Sequence, residues 1–276
     1  MRTDLKFDSL VLFLGVLAIV TAIVEPAVFG EVSVKPLSVK LTASAGEIDT
    51  AKLNIHNRAE VATKVRLRSA DWWRTPDGNL QILPPDSRKK SSADWIIFSP
   101  SKFELGGNER AEVTLEASVP EGVSGDHWSM VLITEEPVGQ EDKAGMQVSV
   151  GYAVKILVED PNNRKKSAKI TNIELVSEEP LRLQINYLNT GASYMKTKGT
   201  LEIRNLQGET EREVKIKEFP TLPGEKRIIN VSIDDERESL DPGQYYAIVI
   251  MDYGGDHLIQ GGRPINISEN SKKQGG

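Results

Sequence analysis

Residues 92–161 decide the fold, and they read SADWIIFSPSKFELGGNERAEVTLEASVPEGVSGDHWSMVLITEEPVGQEDKAGMQVSVGYAVKILVEDP. Short runs of β-branched and aromatic residues are separated there by Ser-Pro, Gly-Gly and Val-Pro breaks, a pattern typical of a sandwich of many short strands. The last run alternates strictly, with apolar side chains at Met146, Val148, Val150, Tyr152, Val154, Ile156 and Val158. Because successive side chains of a strand point to opposite faces, this run predicts one long strand with a single apolar row.

Outside this stretch the chain continues in the same manner. Strand-like runs of the first half lie at residues 38–42, 50–56, 63–69, 95–98, 111–117, 128–134 and 146–158. Those of the second half lie at residues 170–176, 181–188, 199–204, 213–219, 227–233, 245–252 and 265–267. We therefore predict an all-β protein of two tandem immunoglobulin-like β-sandwich domains. The polar stretch 160–169 contains no large apolar residue and predicts the hinge between them.

The first thirty residues differ from the rest in composition. Arg2 and Lys6 precede a run of fifteen residues, 10–24, that contains no charged side chain. A membrane span needs about 20 apolar residues, whereas a run of this length is typical of a signal peptide. We predict cleavage after Gly30 and export to the periplasm or the cell exterior, with an uncleaved N-terminal anchor as the alternative. No membrane span is expected after cleavage.

These observations predict five segments. They are a signal peptide (1–30), a first sandwich (31–160), a linker (161–168), a second sandwich (169–268) and a flexible tail (269–276).

Composition narrows the function classes. The chain has no cysteine, so an exported form has no disulfides and depends on burial for its stability. Its formal net charge is −6, and its basic clusters at residues 88–90 and 164–166 lie in loop-like sequence. Solvated loops explain such clusters better than a phosphate-binding track does, so no nucleic-acid partner is predicted.

Residue types that support catalysis or metal binding are scattered. His56, His127 and His257 lie far apart, without the spacing of metal ligands and with no cysteine to join them. No nucleophile elbow or phosphate-binding loop occurs. The sequence therefore predicts a protein that is not an enzyme and that needs no metal or cofactor.

Two further clusters allow two interpretations each. The acidic residues Asp234, Asp235, Glu236, Glu238 and Asp241 could bind calcium, but they lack the rhythm of a calcium loop, and a solvated turn is the simpler interpretation. The four tryptophans could form a platform for sugar stacking, but sandwich domains commonly bury tryptophan between their sheets. They are Trp72, Trp73, Trp95 and Trp128.

The first half resembles the N-terminal domain of the PapD-like periplasmic chaperones of pilus assembly. The matching segments follow the order of that family. They are Gly46 with KLNIHN ending at Asn57, Trp72-Trp73, residues 98–120 (FSPSKFELGGNERAEVTLEASVP), residues 125–137 (GDHWSMVLITEEP) and residues 145–161 (GMQVSVGYAVKILVEDP). The second half resembles bacterial surface immunoglobulin-like domains.

The resemblance implies a mechanism and also shows a departure from it. In that family the apolar residues of the last strand complete the sheet of an unfinished partner, which implies Met146, Val148, Val150 and Tyr152 as partner-binding residues. The family also anchors a carboxylate with an Arg on its first strand and a Lys on its last. Here Leu41 occupies the position of that Arg, with Lys40 beside it. The Lys position falls nearer Ala153 than Lys155.

Two function classes follow. The first is an exported, non-catalytic protein-binding protein, a chaperone or assembly factor for a surface or secreted subunit. The second is a structural adhesion module of the cell envelope that binds glycan or a surface protein. If the alternating strand directs all of its apolar residues into its own domain, the pattern is that of an ordinary half-buried antiparallel strand.

Overall fold

The computed structural model describes residues 32–138, 151–178, 180–233 and 240–269. In these ranges the chain forms β-strands and a single 3-10 turn at Ala93–Trp95, without an α-helix. The prediction of an all-β fold with two immunoglobulin-like sandwiches is confirmed. No helix of the described ranges is long and apolar enough to cross a membrane.

Ten strands form the first sandwich. They are β1 (Val32–Lys35), β2 (Ser38–Thr42), β3 (Ile48–Asn57), β4 (Thr63–Arg74), β5 (Leu80–Leu83), β6 (Ile96–Ser99), β7 (Lys102–Leu105), β8 (Arg110–Ser118), β9 (His127–Pro137) and β10 (Gly151–Glu159). One sheet has the order β1-β3-β8-β6, and the other has the order β2-β10-β9-β4-β5 with β7 also paired to β4. Alternate side chains of both sheets meet in one core, which includes Leu53, Ile55, Val113, Leu115, Leu67, Val131, Ile133, Val154 and Ile156.

Seven strands form the second sandwich. They are β11 (Ala168–Glu178), β12 (Leu181–Asn189), β13 (Met195–Arg204), β14 (Thr210–Thr221), β15 (Lys226–Ile233), β16 (Gly243–Asp252) and β17 (Ile259–Ile267). The sheets β11-β12-β15 and β14-β13-β16-β17 enclose a second core, which includes Leu183, Ile185, Tyr187, Leu201, Ile203, Val249 and Met251. No strand is assigned between Glu159 and Ala168, an interval that overlaps the predicted linker 161–168. The predicted limits of the domains stay a prediction.

Three strands were not expected from the sequence, and one predicted strand begins later than expected. β1, β5 and β7 have four residues each, which is too short for an alternation of period 2 to stand out. Trp95, predicted to open a strand, belongs to the 3-10 turn, and the strand begins at Ile96.

A buried asparagine fastens the end of β3. The Asn57 side chain is 1% exposed. Its Nδ2 donates to the carbonyl oxygens of Val61, Leu105 and Gly106 at 2.8, 3.2 and 2.9 Å. Its Oδ1 accepts the Ala59 amide at 3.0 Å. One side chain therefore satisfies four backbone groups and joins two loops that are distant in sequence.

The second sandwich repeats this arrangement at the end of β12. Asn189 Nδ2 donates to the carbonyls of Ser193 and Thr221 at 3.0 and 3.3 Å, and Oδ1 accepts the Gly191 amide at 2.9 Å. In each domain a glutamate completes the loop that the asparagine holds. The Glu109 carboxylate accepts the Gly106 amide at 2.7 Å, and the Glu225 carboxylate accepts the Leu222 amide at 2.8 Å. Glu109 is exposed, whereas Glu225 is fully buried.

Apolar side chains join the two sandwiches. Trp72, Trp128 and Met130 of the first domain form one cluster with Leu222 of the second, and Tyr194 packs against it. Trp128 is 2% exposed, and its Nε1 donates to the Trp72 carbonyl at 3.1 Å. The second domain therefore covers one end of the face of the β10-β9-β4 sheet that points away from the core.

Candidate protein-binding site

β10 is paired along its whole length on one side but only in part on the other. β9 pairs with residues 151–158, whereas β2 runs parallel to β10 from Lys155 to Glu159 only. The Lys155 amide donates to the Leu37 carbonyl at 3.2 Å. Because backbone groups alternate between the two edges of a strand, those of Gly151 and Ala153 point to the same side as the Lys155 amide. In the described part of the chain no strand pairs with that side of residues 151–154.

The predicted partner-binding residues are only partly within the described ranges. Met146, Val148 and Val150 lie outside them. Tyr152 is half-buried and packs against the core of the first domain. Val154, Ile156 and Val158 are at most 2% exposed in the same core. The described half of the alternating row therefore faces its own domain.

The opposite row of β10 faces the second domain. Ala153, Lys155 and Leu157 are half-buried there, and Ala153 and Leu157 pack against the tryptophan cluster. The Cα partners of Ala153 and Lys155 on β9 are Leu132 and Met130. The open edge thus borders a partly apolar face that continues into the junction between the domains.

The tryptophans are used for packing. Trp72 is 4% exposed, and its Nε1 donates to the Ser129 carbonyl at 2.9 Å. Trp73 stacks on Trp128 with ring centroids 5.9 Å apart. Trp95 lies against the His127 ring at 4.4 Å. None of the four tryptophans is exposed, so the core-packing interpretation describes them better than a sugar-stacking platform does.

Two cations meet at the Trp72 ring, at the entrance to the junction. The Arg74 guanidinium carbon and the Lys155 Nζ lie 4.8 and 5.2 Å from the ring centroid, which is within cation–π range. Burial lowers the pKa of Lys155, and the nearby Arg74 lowers it further. Arg74 belongs to β4 and Lys155 to β10, so the pair includes no cation from β2, the strand of Lys40 and Leu41.

Lys40, the other candidate cation, is directed elsewhere. Its Nζ lies 2.8 Å from Glu159 Oε2, an atom that Arg164 also approaches to 3.0 Å. Leu41 is 1% exposed and belongs to the core. β2 therefore contributes no cation to the Trp72 ring.

Glu225 links the second domain to this cation pair. Its carboxylate lies 3.5 Å from Arg74 Nη1 and 3.6 Å from Arg227 Nη1. Burial raises the pKa of Glu225 even though both arginines act in the opposite direction. The Ile228 amide also donates to the Pro76 carbonyl at 2.7 Å, which brings the β4–β5 turn against β15.

Asp126 makes a second connection between the domains. Its amide donates to the Ala192 carbonyl at 2.9 Å, and its Oδ2 accepts the Tyr194 amide at 2.7 Å. Its Oδ1 accepts the Asp160 amide at 3.2 Å. Burial raises the pKa of Asp126, although these amide donors oppose the shift. The start of the interdomain segment and a loop of the second domain are thus held by one side chain.

Sequence reasoning did not identify Asp126 or Glu225, because their partners are distant along the chain. One local signal was present for Glu225. Each half has an asparagine at a strand end and, further on, a glutamate after a glycine-containing turn, with Asn57 and Glu109 in the first half and Asn189 and Glu225 in the second.

The remaining candidates do not form sites in the described ranges. No group of three or more His, Asp or Glu side chains could hold a metal ion there. Residues 234–239 of the acidic run lie outside the described residues. In the basic clusters, Arg88 lies over the Trp73 ring at 4.0 Å, and Lys166 Nζ donates to the Gly254 carbonyl at 2.8 Å.

His127 is buried beside the interdomain segment. It is 5% exposed, and its Nδ1–H donates to the Gly125 carbonyl at 2.8 Å. Burial lowers the pKa of His127 from 6.5 to about 4, and the charge of Lys90 adds to this shift. Between these two values the unfolded chain therefore binds a proton at this residue that the folded chain does not.

We expect the free energy of unfolding to fall as the pH decreases from 6.5 to about 4, with a contribution from His127 of about 3 kcal/mol. A His127→Gln variant cannot take up that proton and should lose most of this contribution. Urea unfolding of both proteins at several pH values between 7 and 4 measures the difference. Asp126 and Glu225 favour the folded state at lower pH, but they are present in both proteins. An equal pH dependence of the variant and the parent, with His257→Gln as the exposed control, would contradict the assignment.

No protein-family model matches the chain, and no curated protein matches its sequence. Comparison with solved structures does find similar chains. One of them belongs to the CsuC–CsuE chaperone–tip adhesion subunit pre-assembly complex from archaic chaperone-usher Csu pili of Acinetobacter baumannii. That chain is 12% identical with a TM-score of 0.44, over 83% of this chain and 97% of that chain.

Two further chaperones are similar over comparable lengths. The E. coli chaperone DraB is 16% identical with a TM-score of 0.43, over 84% of this chain and 96% of that chain. The Pseudomonas aeruginosa chaperone CupB2 is 13% identical with a TM-score of 0.41, over 86% of this chain and the whole of that chain. The strand order and register of the chain itself define two immunoglobulin-like sandwiches.

Proposed function

We propose that this chain is an exported, non-catalytic protein-binding protein, a PapD-like chaperone or assembly factor for a surface or secreted subunit of the cell envelope. It acts in the periplasm or outside the cell after removal of residues 1–30. N-terminal sequencing of the protein recovered from the envelope fraction tests export, because cleavage after Gly30 leaves Glu31 as the first residue.

The open side of β10 carries this proposal. The backbone N–H and C=O groups of Gly151 and Ala153 point to the same edge of β10 with which β2 pairs from Lys155 onward. An extended segment of a partner can pair there and lengthen the row that β2 begins, which is the mode of β-strand addition. An uncovered edge is otherwise a site of unwanted pairing between chains.

The residues before β10 extend the proposal. Met146, Val148 and Val150 continue the spacing of Tyr152 in the sequence. We assign them to contact with the partner, where their apolar side chains would meet alternate side chains of the added strand. The buried half of the row, from Val154 to Val158, then anchors the strand in its own domain.

Ala153→Pro tests strand addition directly. Proline removes the outward amide of residue 153 and is tolerated at positions whose N–H points away from the sheet. We expect the variant to fold and to lose capture of the subunit that the parent protein retains in a pull-down from the envelope fraction. Ala153→Val is the matched control, because it enlarges the side chain but keeps the amide.

A second variant separates binding from folding. Val148→Thr with Val150→Thr keeps the β-branched shape and the strand propensity. If both side chains bind the partner, stability to urea should be unchanged while capture is lost. A loss of about 1–3 kcal/mol for each residue would instead place them in the core. Undiminished capture by both the Pro and the Thr variants would refute the proposal.

A further inference from the structure

The sheet face beside the open edge carries a cluster of cations. Arg66 on β4 lies opposite Lys102 on β7 and opposite Thr134 on β9, whose next neighbour is Gly151 on β10. In the adjacent row Arg68 lies opposite Leu132, whose neighbour on β10 is Ala153. Because residues opposite each other in a sheet share a face, all of these side chains lie on the face that points away from the core.

Arg66, Arg68 and Lys102 are exposed. We call these three residues the cationic patch. In the described part of the chain none of the three has a hydrogen bond or ion pair formed by its side chain. Glu104 is one row along, opposite Lys64 rather than opposite a member of the patch. The other exposed lysines of the same two domains often do pair, as Lys52 does with Glu112 and Lys196 does with Glu218.

Like charges directly opposite each other destabilise a sheet. Arg66 and Lys102 are such a pair, and they occur in a chain that has 40 acidic and 34 basic residues. Acidic side chains are therefore abundant, yet among the described residues none pairs with a member of the patch. An anionic partner would convert this repulsion into attraction.

The surface between Arg66 and the open edge is low, because Thr134 and Gly151 are the intervening residues. Leu132 and Ala153 separate Arg68 from the edge, and both pack against the tryptophan cluster. Long side chains of a segment that pairs with the open backbone of β10 can extend over Gly151 and Thr134 toward the patch. Lys155 lies on the same face of β10, two residues after Ala153. It is half-buried and adds a further cation near the junction between the domains.

We propose that the cationic patch binds an acidic segment of the protein that pairs with β10. The segment pairs with the open backbone of Gly151 and Ala153, and its carboxylates extend over β10 and β9 toward Arg66 and Arg68, with Lys102 behind them on β7. This inference rests on the proposed function, since it concerns the same edge, and it adds the charge of the partner. Charge complementarity at an exposed rim accelerates encounter and excludes neutral or cationic segments more than it raises affinity.

Three soluble nine-residue peptides that alternate Val with Glu, Ser or Lys serve as probes. Binding to the purified full-length protein is followed by fluorescence anisotropy at low and at high salt. We expect the Val/Glu peptide to bind about tenfold more tightly than the Val/Ser peptide at low salt, and this advantage should shrink at high salt. The Val/Lys peptide should bind more weakly than either.

Arg66→Glu with Arg68→Glu should remove the advantage of the Val/Glu peptide and leave Val/Ser binding unchanged. Arg58→Glu with Arg110→Glu changes the net charge equally at exposed positions outside the patch, and it should behave as the parent protein. Ala153→Pro should weaken all three peptides, because it acts on the edge and not on the charge.

The outcomes distinguish this inference from the proposed function. If the Val/Ser peptide binds and Val/Glu has no advantage, or if the double Glu variant keeps that advantage, the acidic partner is excluded while strand addition stands. If no peptide binds the parent protein, the acidic segment is excluded, and the subunit pull-down decides the proposed function separately. A heparin fragment or phosphatidylglycerol vesicles that displace the Val/Glu peptide with higher affinity would assign the patch to a different anion and overturn the proposal.

Discussion

Asn57→Asp should unfold the first domain at neutral pH. The substitution keeps the shape of the side chain but replaces the donating amide with a carboxylate that faces the carbonyls of Val61, Leu105 and Gly106. A buried charge with one amide donor, from Ala59, and three facing carbonyls is among the few changes that cost about 4 kcal/mol or more. Asn57→Ala removes the same hydrogen bonds without adding charge and should cost about 2–3 kcal/mol.

The pH dependence identifies the cause. Burial and the three carbonyls should raise the pKa of a carboxyl at position 57, so the folded variant binds a proton that the unfolded chain releases. The Asp variant should therefore gain stability relative to the Ala variant as the pH falls toward 4, which circular dichroism during urea unfolding measures. Asn230→Asp, at an exposed position of β15, is the control and should change stability by about 0.5 kcal/mol or less. A difference in the free energy of unfolding between the Asp and Ala variants that stays constant with pH would contradict this account.

Trp128→Ala should destabilise the protein by about 3–5 kcal/mol and should also loosen the junction between the domains. The indole is 2% exposed, donates to the Trp72 carbonyl and packs in the cluster that contains Leu222. Its removal leaves a cavity that both domains border. We expect two unfolding transitions in place of a shared one, and a larger radius of gyration in small-angle X-ray scattering.

Trp128→Phe is the matched variant for the indole. It retains most of the apolar contact and loses the Nε1 hydrogen bond, so it should cost about 1–2 kcal/mol and keep the domains together. If Trp128→Ala were to unfold in one transition with an unchanged radius, the junction would depend on Asp126 and Glu225 rather than on the apolar cluster.

Local patterns were enough to predict the fold. The alternation through Val158 is a property of neighbouring residues, and the structure places Val154, Ile156 and Val158 together in the core. The four-residue strands β5 and β7 could not be found in this way. They are strands because β4 provides a partner edge, not because their own sequences alternate.

The candidate site was less accessible to sequence reasoning. The open side of β10 depends on where β2 stops pairing, and this is a matter of register between segments more than a hundred residues apart. Glu225 has the same role in its turn as Glu109, and the approach of Arg74 from the other domain adds an ion pair between the domains. The cationic patch likewise exists only once β7, β4 and β9 are placed side by side.

The parallel pairing of β2 with β10 also limits the length of any strand that is added. Leu37, whose carbonyl accepts the Lys155 amide, closes the edge at that point, and its side chain is 56% exposed. An incoming strand would therefore have to stop pairing there, at the residue that meets Leu37. Such an end-stop would fix the alignment of a partner along β10 to a single residue, and a shift by one residue would reverse which of its side chains face the core.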